Sequence, residues 1–159
     1  MRKLSTCFVL PFLVLLFYGC CFQHMYIIRN LSKEPATLIL TIIGVKDSAE
    51  VGNWEIAGAA EIVPIKKSDL ATAFVSKIAG VWDKSGTCKF EIPAGGSADI
   101  SKLIGFLNPA TETTAGFYCS RIEILYGKSG ISITNNMEKI FRSKSFSWPG
   151  PLVYYLDLE

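Results

Sequence analysis

Short runs of β-branched and aromatic residues, separated by turn residues, recur along most of this 159-residue chain. Thr87–Ile92 alternates apolar and polar side chains, as a strand with one buried face does. Phe117–Tyr126 is followed by a glycine-bounded turn and then by Ile131–Thr134, which is typical of a hairpin. Roughly eight or nine such runs occur, which predicts an all-β, mainly antiparallel β-sandwich of the immunoglobulin-like or a similar kind.

Two segments allow more than one interpretation. Ser68–Gly80 has a capping serine, apolar residues at helical spacing and a closing glycine, so we predict one short helix near 69–79. The β-branched residues of the same segment also suit a strand. Ala60–Ile65 predicts a short strand, and its Pro64 favours an edge or an end of a sheet.

The first twenty residues have the layout of an export signal. Arg2 and Lys3 give the chain a positive start, and Cys7–Tyr18 is an unbroken apolar run. A short basic region followed by an apolar stretch is typical of a secretory signal peptide. The sequence therefore predicts export.

The end of this leader, Phe17-Tyr18-Gly19-Cys20, resembles the lipobox of bacterial lipoproteins. The resemblance implies cleavage before Cys20 and acylation of Cys20, which would attach the protein to a membrane through lipid. We therefore predict a signal peptide over 1–19, a tether over 20–24 and a single β-sandwich domain over 25–159. The predicted location is the cell envelope, at the periplasmic or outer-membrane face.

Two alternatives to lipidation stay open. One is an ordinary cleaved signal, which would make the protein secreted, although no site of the A-x-A kind follows the apolar run. The other is an uncleaved anchor, for which Cys7–Phe22 is shorter than the roughly 20 residues that span a bilayer.

The charge of the exported part argues against nucleic acid as a partner. Of the 16 basic residues, Arg2 and Lys3 belong to the leader, so 14 basic and 14 acidic residues remain. Binding to nucleic acid depends on clustered Lys and Arg. We predict a membrane contact through the lipid and an envelope protein or a glycan as partner, without nucleic acid.

The side chains that most enzymes need are scarce. His24 is the only histidine, and it precedes the first predicted strand, which argues against a Ser-His-Asp or Cys-His site and against a zinc site. Carboxylates are numerous but form no distinctive pair, so a small carboxylate-dependent hydrolase stays an alternative. We predict a protein that is not an enzyme, binds no cofactor and no metal, and has a binding or structural role.

Two cysteines lie inside the predicted domain. An oxidising compartment permits a disulfide between Cys88 and Cys119. Strand alternation, however, places Cys88 on an apolar face and Cys119 on the face of Arg121 and Glu123, so one thiol points inward and the other outward unless a bulge intervenes. Both the disulfide and free thiols stay open.

Three tryptophans lie in or beside predicted loops: Trp54, Trp82 and Trp148. Exposed indoles stack on sugars or anchor partner proteins, so these residues are candidates for a carbohydrate-binding module. The alternative, which the sequence favours, is that each packs at an end of the sandwich.

Overall fold

The computed structural model describes residues 24–43, 54–66, 70, 72–83, 86–105, 107, 118–134, 137–145 and 152–159. Its strands are β1 (His24–Asn30), β2 (Ala36–Ile43), β3 (Glu55–Ala59), β4 (Ser76–Ala79), β5 (Val81–Trp82), β6 (Thr87–Ile92), β7 (Ser97–Asp99), β8 (Tyr118–Tyr126), β9 (Ser129–Ile133), β10 (Arg142–Ser145) and β11 (Leu152–Leu158). Among the described residues, the helices with complete bounds are α1 (Ser101–Gly105) and α2 (Met137–Ile140).

The strands form two sheets. Sheet A has the order β10-β11-β1-β7-β3-β4, and sheet B has the order β5-β6-β2-β8-β9. The described pairs are antiparallel except for β1 with β11, which run parallel. The prediction of an all-β, mainly antiparallel sandwich is confirmed.

The space between the two sheets is filled by aliphatic side chains. Strand β2 alternates buried and partly exposed residues, so that Leu38, Leu40 and Ile42 enter the core. Ile122 and Ile124 of β8 lie directly opposite two of them. Each fully buried side chain of this size contributes about 1.5–3 kcal/mol through removal from water, which makes this core the main stabilising element.

The outer face of sheet A is also covered. Ile27 and Ile28 of β1 point to opposite faces, yet both are fully buried. The segment 60–66 crosses the outer face without forming a strand and packs Val63 and Ile65 against Ile27. The hydroxyl of Ser97 holds this segment, because it accepts a hydrogen bond from the Val63 amide at 2.9 Å. The prediction of a strand over 60–65 is therefore wrong.

Strand β4 replaces part of the predicted helix. Residues 70, 72 and 73 are helical, but Ser76–Ala79 pair with β3, with Ile78 opposite Ile56. The helix prediction over 69–79 is wrong for this second half, because pairing at the sheet edge outweighs a weak helical pattern. After β4 the chain passes to sheet B through Gly80 alone, where a Cβ atom would clash with Cys88 Sγ and the Phe90 ring.

The sandwich has two ends, which the strand registers define. The entry end contains the start of β1 at His24, the end of β2 at Ile43, and Trp54 just before β3. The turn end contains Asn30 at the end of β1 and Tyr126 at the end of β8. Chain direction places the two ends roughly 20 Å apart along β1, at about 3.3 Å per residue.

The turn end is held together by the side chain of Asn30, which is fully buried. Its Nδ2 donates to the carbonyl oxygens of Glu34, Ile92 and Pro93 at 2.8, 3.2 and 3.1 Å. Its Oδ1 accepts from the Ser32 hydroxyl at 2.6 Å. One amide from sheet A thereby ties the β1–β2 loop to the end of β6 in sheet B.

We predict that Asn30→Asp lowers the free energy of unfolding by about 3 kcal/mol or more, because it replaces the Nδ2 donor with an oxygen that faces carbonyl oxygens in a buried site. Ser32→Ala is the matched control, and we expect a loss of about 1 kcal/mol or less because water can replace that partly exposed hydroxyl. Urea denaturation followed by circular dichroism measures both. Equal losses for the two variants would contradict this role of Asn30.

Candidate functional site

A cleft of about 270 Å³ opens at the turn end of the sandwich. Three parts of the chain that are far apart in sequence form it: the β1–β2 loop, the β8–β9 turn and the residue that follows β11. Its lining consists of Ser32, Lys33, Glu34, Tyr126, Gly127, Lys128, Ser129 and Glu159.

Both loops of the cleft have a defined local structure. Asn30 shapes the first loop, since Ser32 and the Glu34 carbonyl both bind its side chain. In the second, Tyr126 pairs with Ser129, and the intervening Gly127 has a positive φ of 53°. A glycine with positive φ at the first position of a two-residue hairpin loop is typical of a type II′ turn.

The cleft presents mixed charge beside one aromatic ring. Lys33 and Lys128 supply ammonium groups, and Glu34 and Glu159 supply carboxylates. The ring of Tyr126 packs partly against the main core, so it forms a fixed wall. Such a surface can donate and accept hydrogen bonds and contact a small apolar face, which suits a polar ligand or a polar segment of a partner.

Trp54 lies at the entry end, just before β3, and it contacts Trp82 of β5, which pairs with Cys88 of β6. The rings of Trp54 and Trp82 meet edge to face, with centroids 5.5 Å apart and an interplanar angle of 82°. Both rings are half-buried and pack against the main core. The Nε1 of Trp82 is buried and has no hydrogen-bond partner within the described residues. Trp148 lies outside the described residues, as does Cys20.

The two domain cysteines are buried, free thiols. A bulge explains why both point inward: Thr41 pairs with Arg121 and Ile42 with Cys119, so Ser120 is the extra residue and shifts Cys119 to the core face. Strand alternation alone therefore misplaced Cys119. Cys88 and Cys119 lie on the two strands that flank β2, about 9.5 Å apart across the sheet, whereas a disulfide needs Cα atoms within about 7 Å.

Burial suppresses the chemistry of these thiols. It raises the pKa of Cys88 to about 12, with a further contribution from the charge of Asp83, and it raises the pKa of Cys119 to about 11. The thiolate is the nucleophile, so both groups are inert near neutral pH.

Several carboxylates of the described chain take part in structural contacts. Asp157 forms a two-pronged pair with Arg29, with Nε–Oδ1 at 2.6 Å and Nη2–Oδ2 at 2.8 Å. Glu55 pairs with Lys77 at 2.5 Å, and Asp99 accepts hydrogen bonds from the amide and hydroxyl of Ser101. These carboxylates orient strands and turns.

The histidine considered in the sequence analysis and the search for a metal site remain to be described. His24 is exposed at the start of β1, where its ring meets Tyr154 edge to face at 5.8 Å. Among the described residues, no group of three or more His, Cys, Asp or Glu side chains could hold a metal ion. The helices in this part of the chain are all too short or too polar to cross a membrane.

Sequence reasoning missed the cleft. Lys33, Glu34 and Lys128 are typical of solvated turns, and nothing in their local sequence distinguishes them from other turn residues. Only the topology brings the two turns and Glu159 to one place. Comparison of the chain with protein-family models, curated proteins and solved structures finds no match.

We predict that Cys88 and Cys119 resist alkylation at pH 8 in the folded protein and react fully in denaturant, because their raised pKa values leave almost no thiolate. Iodoacetamide labelling with peptide mapping measures each position separately. Rapid labelling of both thiols in the folded protein would contradict their burial.

The raised pKa values also predict how stability depends on pH. The thiols of the unfolded protein ionise first, near the ordinary cysteine pKa of 9.0, so the free energy of unfolding should fall as the pH rises from 9 towards 11. A Cys88→Ala/Cys119→Ala variant should show a smaller fall in the free energy of unfolding over this pH range.

Proposed function

We propose that this protein is an exported, lipid-anchored component of the bacterial cell envelope that binds a polar partner without catalysis. The observation that carries the proposal is the opposite placement of the chain entry and the cleft. Strand β1 begins at the entry end, and the cleft lies at the turn end. An anchor that precedes β1 would therefore hold the domain with the cleft directed away from the bilayer.

The short tether supports this arrangement. Cys20 precedes His24 by four Cα-to-Cα steps, which reach about 14 Å when fully extended. That distance is shorter than the roughly 20 Å between the two ends of the sandwich. The turn end is therefore the part of the domain that is most accessible to soluble or wall-bound molecules.

A non-catalytic role is supported by the state of the reactive side chains. The thiols of Cys88 and Cys119 are buried and protonated, and the Asp157 carboxylate forms an ion pair with Arg29. The sequence alternative of sugar binding through tryptophans is weakened for Trp54 and Trp82, because their rings pack against the core instead of forming an open platform. The cleft is the better candidate for ligand contact.

We predict that mass spectrometry of the protein purified from membranes finds acyl chains on Cys20. Cys20→Ser should release the protein into the soluble fraction, because the lipid would be its membrane attachment. Cys21→Ser is the matched control, and it should leave both acylation and membrane fractionation unchanged. An unmodified Cys20 in the mature protein would remove the lipoprotein proposal.

We predict that a photo-crosslinking residue at Lys128 captures the partner in intact cells, since this side chain lines the cleft. The same crosslinker at Lys89, which is exposed on β6 away from the cleft, is the control. A polysaccharide or protein adduct that is specific for position 128 supports binding at the cleft. Identical adducts at both positions, or none at position 128, would contradict it.

A further inference from the structure

The two sheets differ in how their outer faces are covered. The segment 60–66 packs over the outer face of sheet A. Sheet B instead carries, on its outer face, three of the large apolar side chains that are exposed among the described residues. These are Ile43 of β2, Val81 of β5 and Leu125 of β8, with 47%, 69% and 46% of their surface exposed. Exposed apolar side chains grouped on one face mark a candidate interaction surface.

Strand β2 runs through the centre of this face and presents short, uncharged side chains there. Its buried residues alternate with Thr37, Ile39, Thr41 and Ile43, which point outward. All four are β-branched, so they have few rotamers and lose little side-chain entropy when they are covered. Another protein surface can therefore approach β2 closely along its length.

Charges of opposite sign flank this strand. Ile39 pairs with Lys89 of β6 on one side and with Glu123 of β8 on the other, so the three residues form one row across the sheet. Lys89 and Glu123 each lie one strand away from β2, at about 4.8 Å. Glu123 also contacts Arg121 of its own strand at 3.3 Å. The row is therefore positive on one side of β2 and negative on the other.

This row is complementary to a second copy of itself. When two such faces pack around a two-fold axis that runs along β2, Ile39 faces Ile39 of the other copy, and each Lys89 faces a Glu123. A two-fold axis across the strands would instead bring Lys89 onto Lys89 and Glu123 onto Glu123, which opposes like charges. A two-fold interface must be self-complementary, so the charges favour the axis along β2.

We infer that the outer face of sheet B is a dimerisation surface, on which a second copy of this chain packs with its strands running in the same direction. Sheets that pack face to face commonly keep their strands within about 30° of each other. A two-fold axis along the strands leaves both entry ends on the same side. Both copies could then be anchored in one bilayer as proposed above, with both clefts directed away from it.

The size of the face indicates the strength of this contact. Sheet B has five strands, and β2 has eight residues. Spacings of about 4.8 Å between strands and about 3.4 Å along them give a footprint of roughly 500 Å². A standard stable interface covers about 800 Å² per partner. We therefore expect a weak dimer, which is favoured when a shared membrane raises the local concentration of the two copies.

Crosslinking between introduced cysteines tests the dimer. Thr41→Cys places a thiol on the two-fold axis, and Ser143→Cys on the exposed β10 of sheet A is the matched control. Packed sheets lie about 10 Å apart, so a short bismaleimide can join the two copies of position 41, whereas the copies of position 143 lie roughly 30 Å apart. Both changes are made in the full chain with Cys21→Ser and crosslinked on isolated membranes. Peptide mapping identifies the joined residues.

We expect Thr41→Cys to crosslink several-fold more than Ser143→Cys. Adding Lys89→Glu to the Thr41→Cys chain should lower the crosslinked fraction several-fold, because it sets carboxylates against each other, and a further Glu123→Lys should restore much of it. Equal crosslinking at positions 41 and 143, or no recovery with the second charge reversal, would overturn the dimer. Circular dichroism verifies that each variant is folded.

Membrane fractionation separates a failure of the dimer from a failure of the proposed anchor. A membrane-bound protein that does not crosslink at position 41 overturns the dimer and leaves the anchor intact. A protein recovered in the soluble fraction overturns the anchor, and the same comparison of positions 41 and 143 in the concentrated soluble protein then decides the dimer.

Discussion

The buried amide of Asn30 is the interaction on which the arrangement of this molecule depends. It lies at the end of β1, where the chain must leave sheet A and begin sheet B within five residues. Its hydrogen bonds to the Glu34, Ile92 and Pro93 carbonyls join the first loop to the end of β6. The direction of β2, and with it the location of the cleft, follows from this connection.

The backbone of Asn30 reinforces the same junction. Its amide donates to the Gly96 carbonyl, and its carbonyl accepts from the Gly95 amide, each at 2.9 Å. Gly95 has a φ of 68°, a left-handed conformation that glycine adopts without strain. A polar group that is buried and fully hydrogen-bonded fixes one geometry, because any alternative leaves it unpaired at a cost of about 1–3 kcal/mol per group.

The chain enters at one end of the sandwich, and the charged cleft lies at the other end. Reversals need polar and glycine-rich turns, which supply the charged groups of the cleft. Near the entry end, Trp54 contacts Trp82, and both rings pack against the core. Under the proposed lipid anchor before β1, the cleft would lie at the end of the molecule that is farther from the bilayer.

Much of the fold could be predicted from sequence, because strands such as β2 and β6 carry strong local signals. Alternation in Thr87–Ile92 gives the correct buried face, with Cys88, Phe90 and Ile92 inside. Strand β3 was not predicted, because it begins within the polar stretch Val45–Gly58, which is typical of a loop. Gly58 is required there for packing, since a Cβ atom would lie 2.7 Å from Ile78 Cγ1.

Other features depend on contacts between distant residues and leave no local signal. The bulge at Ser120 reverses the direction of Cys119, and only the register with β2 reveals it. The cleft has the same origin, because Lys33, Lys128 and Glu159 are brought together by topology. The predicted leader is the opposite case, because the lipobox-like Phe17-Tyr18-Gly19-Cys20 is recognised from the linear sequence alone.

The most direct test of the account is a comparison of two distances from the bilayer. Fluorophores attached at Lys128→Cys and at Ile43→Cys, in a Cys21→Ser background, report energy transfer to acceptors on lipid headgroups of intact vesicles. The account predicts strong transfer from position 43 and much weaker transfer from position 128, which lies about 20 Å farther along the strands. Equal transfer from both positions, or stronger transfer from position 128, would contradict a domain that is held at its entry end with the cleft directed outward.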